Sequence, residues 1–217
     1  MEGTIHDFRL KSPCSISIIG PSQSGKSTLI NELIKNRNTW FDTPITKVIY
    51  VYYRLNETLV NQANEDPDFL LAESIEAGNK LLEPNCLLIL DDQMFELTRK
   101  PALDIVSEYF TCGIHHLPFN CVLVLQRAYN KHTKLLVDGS QYCVLFDQPK
   151  DRTVITNIAK QFSPHNIHWV QEAYKDATER RHGYIVIDCC TGTNESLRLR
   201  NFLYPSDGFE NKIYTSK

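Results

Sequence analysis

The chain has 217 residues, 42% of them hydrophobic and 23% charged, and its net charge is −3. That length supports one sizeable core, and that balance is ordinary for a globular domain. No apolar run reaches the roughly 18 residues of a membrane span, and the mild negative charge argues against blanket coating of nucleic acid while allowing a local basic patch.

Met1 to Lys11 are polar and mixed in charge, unlike a secretory signal. The seven cysteines show no C-x-x-C spacing, and several sit within apolar runs. Reduced thiols inside a cell are the simplest expectation. There is no internal repeat. The expectation is one domain over residues 1–217, with an N-terminal arm at 1–12 and a polar, frayed tail at 205–217.

Cys14 to Ile19 is a short apolar run and reads as a buried strand. It leads into Gly20-Pro21-Ser22-Gln23-Ser24-Gly25-Lys26-Ser27-Thr28, which fits G-x-x-x-x-G-K-[ST]. Such a loop works through its backbone. Gly20 and Gly25 can take conformations closed to other residues, so successive N–H groups point at phosphate oxygens. Lys26 would place a positive charge at the β- and γ-phosphates, Ser27 a hydroxyl on a magnesium ion, and Thr28 would line the α-phosphate side. A helix beginning near Gly25 aims its positive end at the same phosphates. Leu29, Ile30, Leu33 and Ile34 share a helical face, and the helix should end near Asn36.

Val48 to Tyr53 is rich in β-branched and aromatic residues and reads as a strand. Asn56 to Asp68 is polar, a loop with a short helix. Phe69, Leu70, Ile75, Leu81 and Leu82 suggest a helical stretch that Pro84 ends. Cys86 to Leu90 is a buried strand closing on Asp91 and Asp92. Either these carboxylates make a solvated turn, or they form the acidic strand end of a phosphate-loop NTPase. In the second case Asp91 holds magnesium and Asp92 orients and polarises the attacking water.

Pro101 to Cys112 reads as a helix and Asn120 to Gln126 as a third buried strand. Gln126 either caps that strand or senses the γ-phosphate. Tyr142 to Phe146 is a further strand. Asp151 to Phe162 is an amphipathic helix, and Ser163-Pro164 looks like the cap and first turn of another. Gly183 to Cys189 and Leu197 to Phe202 read as a hairpin. Strands alternating with helices call for a mostly parallel sheet covered on both faces. The glycine loop, Asp91-Asp92 and Gln126 then meet at its carboxyl edge. The residues themselves support a magnesium-dependent NTPase.

Beyond the loop, the order Leu88 to Asp92, Tyr109 to His116, Val122 to Gln126, then Tyr142 to Phe146 with Lys150-Asp151-Arg152 resembles the FtsK–HerA superfamily genome-packaging ATPases. The likeness is to those of virophages, Maverick/Polinton and adenovirus-like elements, with the poxvirus packaging ATPase a relative. It runs from about Ser15 to about Phe162. It implies an α/β, RecA-like phosphate-loop fold of the ASCE type, to which the residues after Phe162 add the expected C-terminal β-hairpin. It implies ATP and Mg²⁺ as cofactors and a ring-shaped homo-oligomer that drives double-stranded DNA, without sequence preference, through a capsid portal or vertex. The location implied is the host cell interior, in nucleus or cytoplasmic virus factory, and the virion, with no membrane. By the same resemblance Lys26 and Ser27 take the phosphate and magnesium roles, Asp91 the metal role, and Asp92 and Gln126 the catalytic acidic and glutamine positions.

The chain departs from that family in two places. Arg127 follows the glutamine where asparagine is common, and His132-Thr133-Lys134 puts lysine where an arginine is frequent. A lysine lacks the planar fork that grips a γ-phosphate at two points. A missing arginine finger costs a factor of about 10³ or more in rate. Arg127, Lys134 and Arg152 stay open for that role. Arg99, Lys100, Lys131, Lys134, Arg180 and Arg181 are the candidate DNA contacts. Two other readings remain: a nucleoside-type small-molecule kinase, and a catalytically weak ATP-binding interaction protein.

Overall fold

The computed structural model describes residues 6–129, 132–205 and 210–216, with only the backbone of 112, 113 and 115. Lys131, one candidate DNA contact, lies outside the described residues. Eight strands form one sheet: β1 (Ser15–Ile19), β2 (Val48–Val51), β3 (Phe69–Ala72), β4 (Leu87–Asp91), β5 (Asn120–Leu125), β6 (Tyr142–Phe146), β7 (Tyr184–Asp188) and β8 (Leu199–Arg200). Their order is β3-β2-β4-β5-β1-β6-β7-β8. Pairing is parallel from β3 to β6, and β7 and β8 are added antiparallel.

The central strands read as unbroken apolar runs because both of their faces are covered. Within each run the side chains still alternate. Leu88, Leu90, Cys121, Leu123, Cys143 and Leu145 join one core layer. Ile16, Ile18, Leu87, Ile89, Val122, Val124 and Val144 join the other. The second layer packs under α1 (Lys26–Lys35), α2 (Arg37–Trp40) and α3 (Glu57–Glu65) through Leu29, Ile30, Leu33, Trp40 and Leu59. The first packs under α4 (Ile75–Asn79), α5 (Lys100–Glu108), α6 (Ile114–His116), α7 (Lys134–Asp138), α8 (Thr153–Phe162) and α9 (Ile167–Glu179).

Several expectations need correction. Phe69 to Ala72 is an edge strand, not part of a helix, and it pairs in parallel with Val48 to Val51. A short apolar run fits either period, and here the open edge of β2 decides. The next helix, α4, is capped by Ser74, whose hydroxyl accepts from Ala77 N. The helix expected at Ser163-Pro164 begins at Ile167 instead, with Asn166 Oδ1 accepting from Trp169 N. The helix expected through Cys112 is α-helical to Glu108 and continues as a wider turn over Tyr109–Gly113.

The C-terminal tail is not frayed where it is described. Tyr214 N donates to Leu199 O at 2.8 Å, and Asn201 N to Lys212 O at 3.1 Å. The hairpin of β7 and β8 forms as expected, with a shorter second strand.

Register fixes where the functional residues fall. Ile19 lies opposite Leu125, and Asp91 opposite Val124. β1, β5 and β4 therefore end nearly flush at one edge. The strand between the glycine loop's strand and the acidic strand is β5, which leads directly into Gln126.

Candidate active site

Gly20 leaves β1 with its N–H donating to Leu125 O at 3.0 Å. A Cβ there would lie 2.8 Å from Phe146 Cβ, so only glycine fits against β6. Gln23 and Gly25 both take positive φ, 65° and 112°, and wind the backbone into a concave loop. Gly25 is also the N-cap of α1, and no acidic residue stands in that helix's first turn. The helix's positive end therefore faces the loop without a counter-charge from its own first turn.

Lys26 Nζ donates to Gly20 O at 2.7 Å and to Pro21 O at 2.8 Å. Burial pushes its pKa down, and the charges of Asp91 and Asp92 push it back up. The ammonium thus feels the acidic pair across the site. Ser24 Oγ is buried without a protein partner. A cradle that a Cβ would fill, a helix N-terminus and an unmatched hydroxyl together fit a bound phosphate. Ser27 and Thr28 are exposed on the first turn of α1.

Asp91 is half-buried at the end of β4. Tyr50 OH donates to its Oδ2 at 2.6 Å. Burial pushes the Asp91 carboxyl above its ordinary value, the Tyr50 hydrogen bond pulls it down, Asp92 raises it and Lys26 lowers it. Asp92 turns off the strand at φ 53°, a left-handed conformation that aspartate tolerates. Gln126 Nε2 donates to Asp92 Oδ1 at 3.1 Å. The two residues given the water-orienting and sensing roles are thus in direct contact.

Sequence reasoning missed three residues here. Tyr50 sits opposite Ile89, so it reaches Asp91 on the diagonal, a relation visible only once β2 and β4 are in register. Gln93 is buried and donates to Val51 O at 3.2 Å and Asp91 O at 2.9 Å, which ties the ends of β2 and β4 together. Arg54 lines a cavity of about 350 Å³ with Tyr52, Tyr53, Asp91 and Asp92. It is an arginine beside the acidic pair in the same chain.

The finger candidates fall in different settings. Arg127 and Lys134 are exposed. Arg152 donates to Asp147 at 2.7 Å. Of the candidate DNA contacts, Arg99 pairs with Glu96 and Lys100 with Asp104, both one helical turn away. Arg180 and Arg181 line a second cavity, beside Gly25 and Thr28.

No family model matches the sequence. No curated protein sequence matches it either. Solved structures do match. The genome packaging NTPase B204 of Sulfolobus turreted icosahedral virus 2, in complex with ATP-gammaS, superposes with a TM-score of 0.54 at 16% identity. That match covers 93% of this chain and 96% of the other. B204 of Sulfolobus turreted icosahedral virus, a DNA-packaging ATPase, gives a TM-score of 0.55 at 18% identity over 81% of this chain and 92% of the other. This chain shares the fold of B204. The AMP complex of the first protein agrees, with a TM-score of 0.51 at 16% identity over 85% and 94% of the two chains. The shared fold agrees with the mostly parallel α/β sheet, covered by helices on both faces, that the sequence leads one to expect. Among the described residues, no helix is long and apolar enough to cross a membrane.

Proposed function

We propose that this protein is a magnesium-dependent ATPase motor that drives double-stranded DNA into a viral capsid. The observation that carries the reading is the Gln126–Asp92 hydrogen bond at a sheet edge that also presents the glycine loop and Asp91. A bland strand end needs no such pairing of amide and carboxylate. The fold shared with B204, a viral genome packaging NTPase, supports the same reading.

In this reading the loop from Gly20 to Thr28 holds the triphosphate of ATP, with Lys26 on the β- and γ-phosphates. Ser27 and Asp91 would hold Mg²⁺, which would supply neutralisation of the charge on the phosphate oxygens. Tyr50 keeps the Asp91 carboxylate in one orientation. Asp92 takes up the proton side of the attacking water, and Gln126 fixes Asp92 and the water together. The protein acts as a ring, with an arginine from a neighbouring subunit completing each site. Half-exposed Tyr53, beside Asp91 and Asp92, supports a site that a neighbour closes. Double-stranded DNA, the capsid vertex, and a place in the infected cell and virion belong to this proposal.

The test is ATP hydrolysis with and without double-stranded DNA, together with the oligomeric state and transfer of phosphate to nucleosides. DNA-stimulated hydrolysis by an oligomer is expected. A monomer that phosphorylates nucleosides would overturn it in favour of a small-molecule kinase.

A further inference from the structure

A cavity of about 300 Å³ opens beside the glycine loop, away from the acidic pair. Gly25, Thr28 and Leu29 form its floor from the start of α1. Half-buried Tyr184 forms its aromatic wall, backed by the buried ring of Phe146 at a centroid distance of 5.2 Å. Arg180 to His182, in the turn between α9 and β7, close its side. This turn is fastened to the phosphate loop itself: His182 Nδ1 donates to Ser24 O at 3.0 Å, a carbonyl that can only accept.

We infer that this cavity takes the purine base of the bound nucleotide, and that it reads the base by stacking and shape alone. The inference rests on the loop being a nucleotide site. Three observations support it. The cavity adjoins the Thr28 side of the loop, where a chain of phosphates held at Lys26 would continue toward sugar and base. Its wall is aromatic and largely apolar, a surface suited to the face of a planar heterocycle. None of the buried polar side chains among the described residues lines it.

The third point sets the specificity. A pocket rejects an analogue strongly only when it has buried donors or acceptors that the wrong ligand leaves unmatched. This one has the Tyr184 ring and a solvated rim that includes Glu32 and Arg181. Adenine and guanine present similar faces and differ at their edges. The site therefore accepts ATP and GTP within about tenfold of each other, and favours both over pyrimidine nucleotides, which offer less stacking area. Arg180 to Tyr184, which form part of its lining, lie beyond the stretch whose sequence resembles packaging ATPases. The C-terminal part of the chain thus has a task in nucleotide binding.

The experiment compares the affinities of Mg-ATP, Mg-GTP, Mg-CTP and Mg-tripolyphosphate by calorimetry. ATP and GTP should bind similarly, each about tenfold or more tighter than tripolyphosphate, with CTP between. Tyr184→Ala should bring ATP down toward tripolyphosphate and leave tripolyphosphate itself unchanged, whereas Tyr184→Phe should keep the wild-type ratio. Equal binding of ATP and tripolyphosphate by the wild-type protein would overturn the base pocket while sparing the phosphate site. So would an ATP-to-tripolyphosphate ratio that Tyr184→Ala does not move, or a strong preference of ATP over GTP. Loss of binding to all four ligands would overturn the nucleotide reading as well. Tyr184 OH also accepts from Leu203 N, so the alanine variant has a structural risk. Photolabelling of the wild-type protein with 8-azido-ATP is the independent measurement. Label on residues 180–184 supports the inference, and label only elsewhere overturns it.

Discussion

The side-chain amide of Gln126 donates to the carboxylate of Asp92 across 3.1 Å, joining the end of β5 to the turn after β4. An amide so placed holds the carboxylate in one orientation while its own carbonyl oxygen stays available to a water. The two residues should therefore act as a unit in hydrolysis. Asp92→Asn is expected to bind ATP about as well as the wild type but to hydrolyse it about 10²- to 10⁴-fold more slowly. Gln126→Ala should show a smaller loss of the same kind. The double variant should be no slower than Asp92→Asn by more than a few-fold, since coupled residues are not additive. Single-turnover hydrolysis of radiolabelled ATP measures all three. Normal hydrolysis by Asp92→Asn would remove Asp92 from its assigned role.

That contact also marks how far the sequence alone could reach. Strand, loop and helix around Gly20 to Ser27 were legible because glycine spacing and apolar runs are local signals. So was the acidic end of β4. The flush edge followed from alternation of strands and helices. What was not legible depends on register. Tyr50 looks like any strand aromatic until Ile89 is placed opposite it. Phe69 to Ala72 looked helical until the free edge of β2 gave it a partner. In the cavity wall, Arg180 and Arg181 read as candidate DNA contacts and Tyr184 as part of a hairpin strand, and only the folded chain brings them to Gly25.

Lys26 is held by two carbonyl oxygens of its own loop, at 2.7 and 2.8 Å. Those contacts keep the ammonium at the loop's centre, where an incoming phosphate competes for it. Lys26→Ala should remove nucleotide binding. A ligand at about one hundred times its Kd stabilises a protein by roughly 2.7 kcal/mol, which thermal unfolding resolves easily. The expected result is a clear upward shift of the melting temperature with Mg-ATP for the wild type and none for Lys26→Ala. An equal shift in both would place the nucleotide elsewhere.

Tyr50 and Asp91 make a prediction that depends on pH. Burial raises the Asp91 carboxyl above its ordinary value, and the Tyr50 hydrogen bond opposes that rise. An acid with a raised pKa binds its proton more tightly when folded than when unfolded. Without metal, Asp91 therefore lowers stability as pH rises from about its ordinary 3.8 through the raised value. Tyr50→Phe should extend that loss to higher pH, and Asp91→Asn should abolish it. Urea unfolding across pH without Mg²⁺ reads this directly. Because Tyr50 also orients the carboxylate, Tyr50→Phe should weaken Mg²⁺-dependent ATP binding by about 10- to 100-fold. Unchanged magnesium dependence would show that the Tyr50 hydrogen bond does not prepare Asp91 for the metal.

The docked tail supplies the last test. Asp176 on α9 accepts from Tyr214 OH and from Lys212 Nζ, the latter at 3.0 and 3.1 Å. Those hydrogen bonds, Tyr214 first, hold the Asp176 carboxyl below its ordinary value. Their contribution is complete above the ordinary value of 3.8 and is lost as pH falls through the lowered one. The group is largely exposed, so solvent screening keeps the effect small. Asp176→Asn should cost about 0.2–1 kcal/mol at neutral pH and progressively less in acid. Removing residues 206–217 should cost more, because it also takes away the backbone bonds from Asn201 N to Lys212 O and from Tyr214 N to Leu199 O. It removes Asn211 from the wall of the cavity beside Gly25 as well. The truncated protein should therefore lose affinity for ATP while keeping its affinity for tripolyphosphate. Equal loss of both would mean that the tail supports the phosphate loop and not the base.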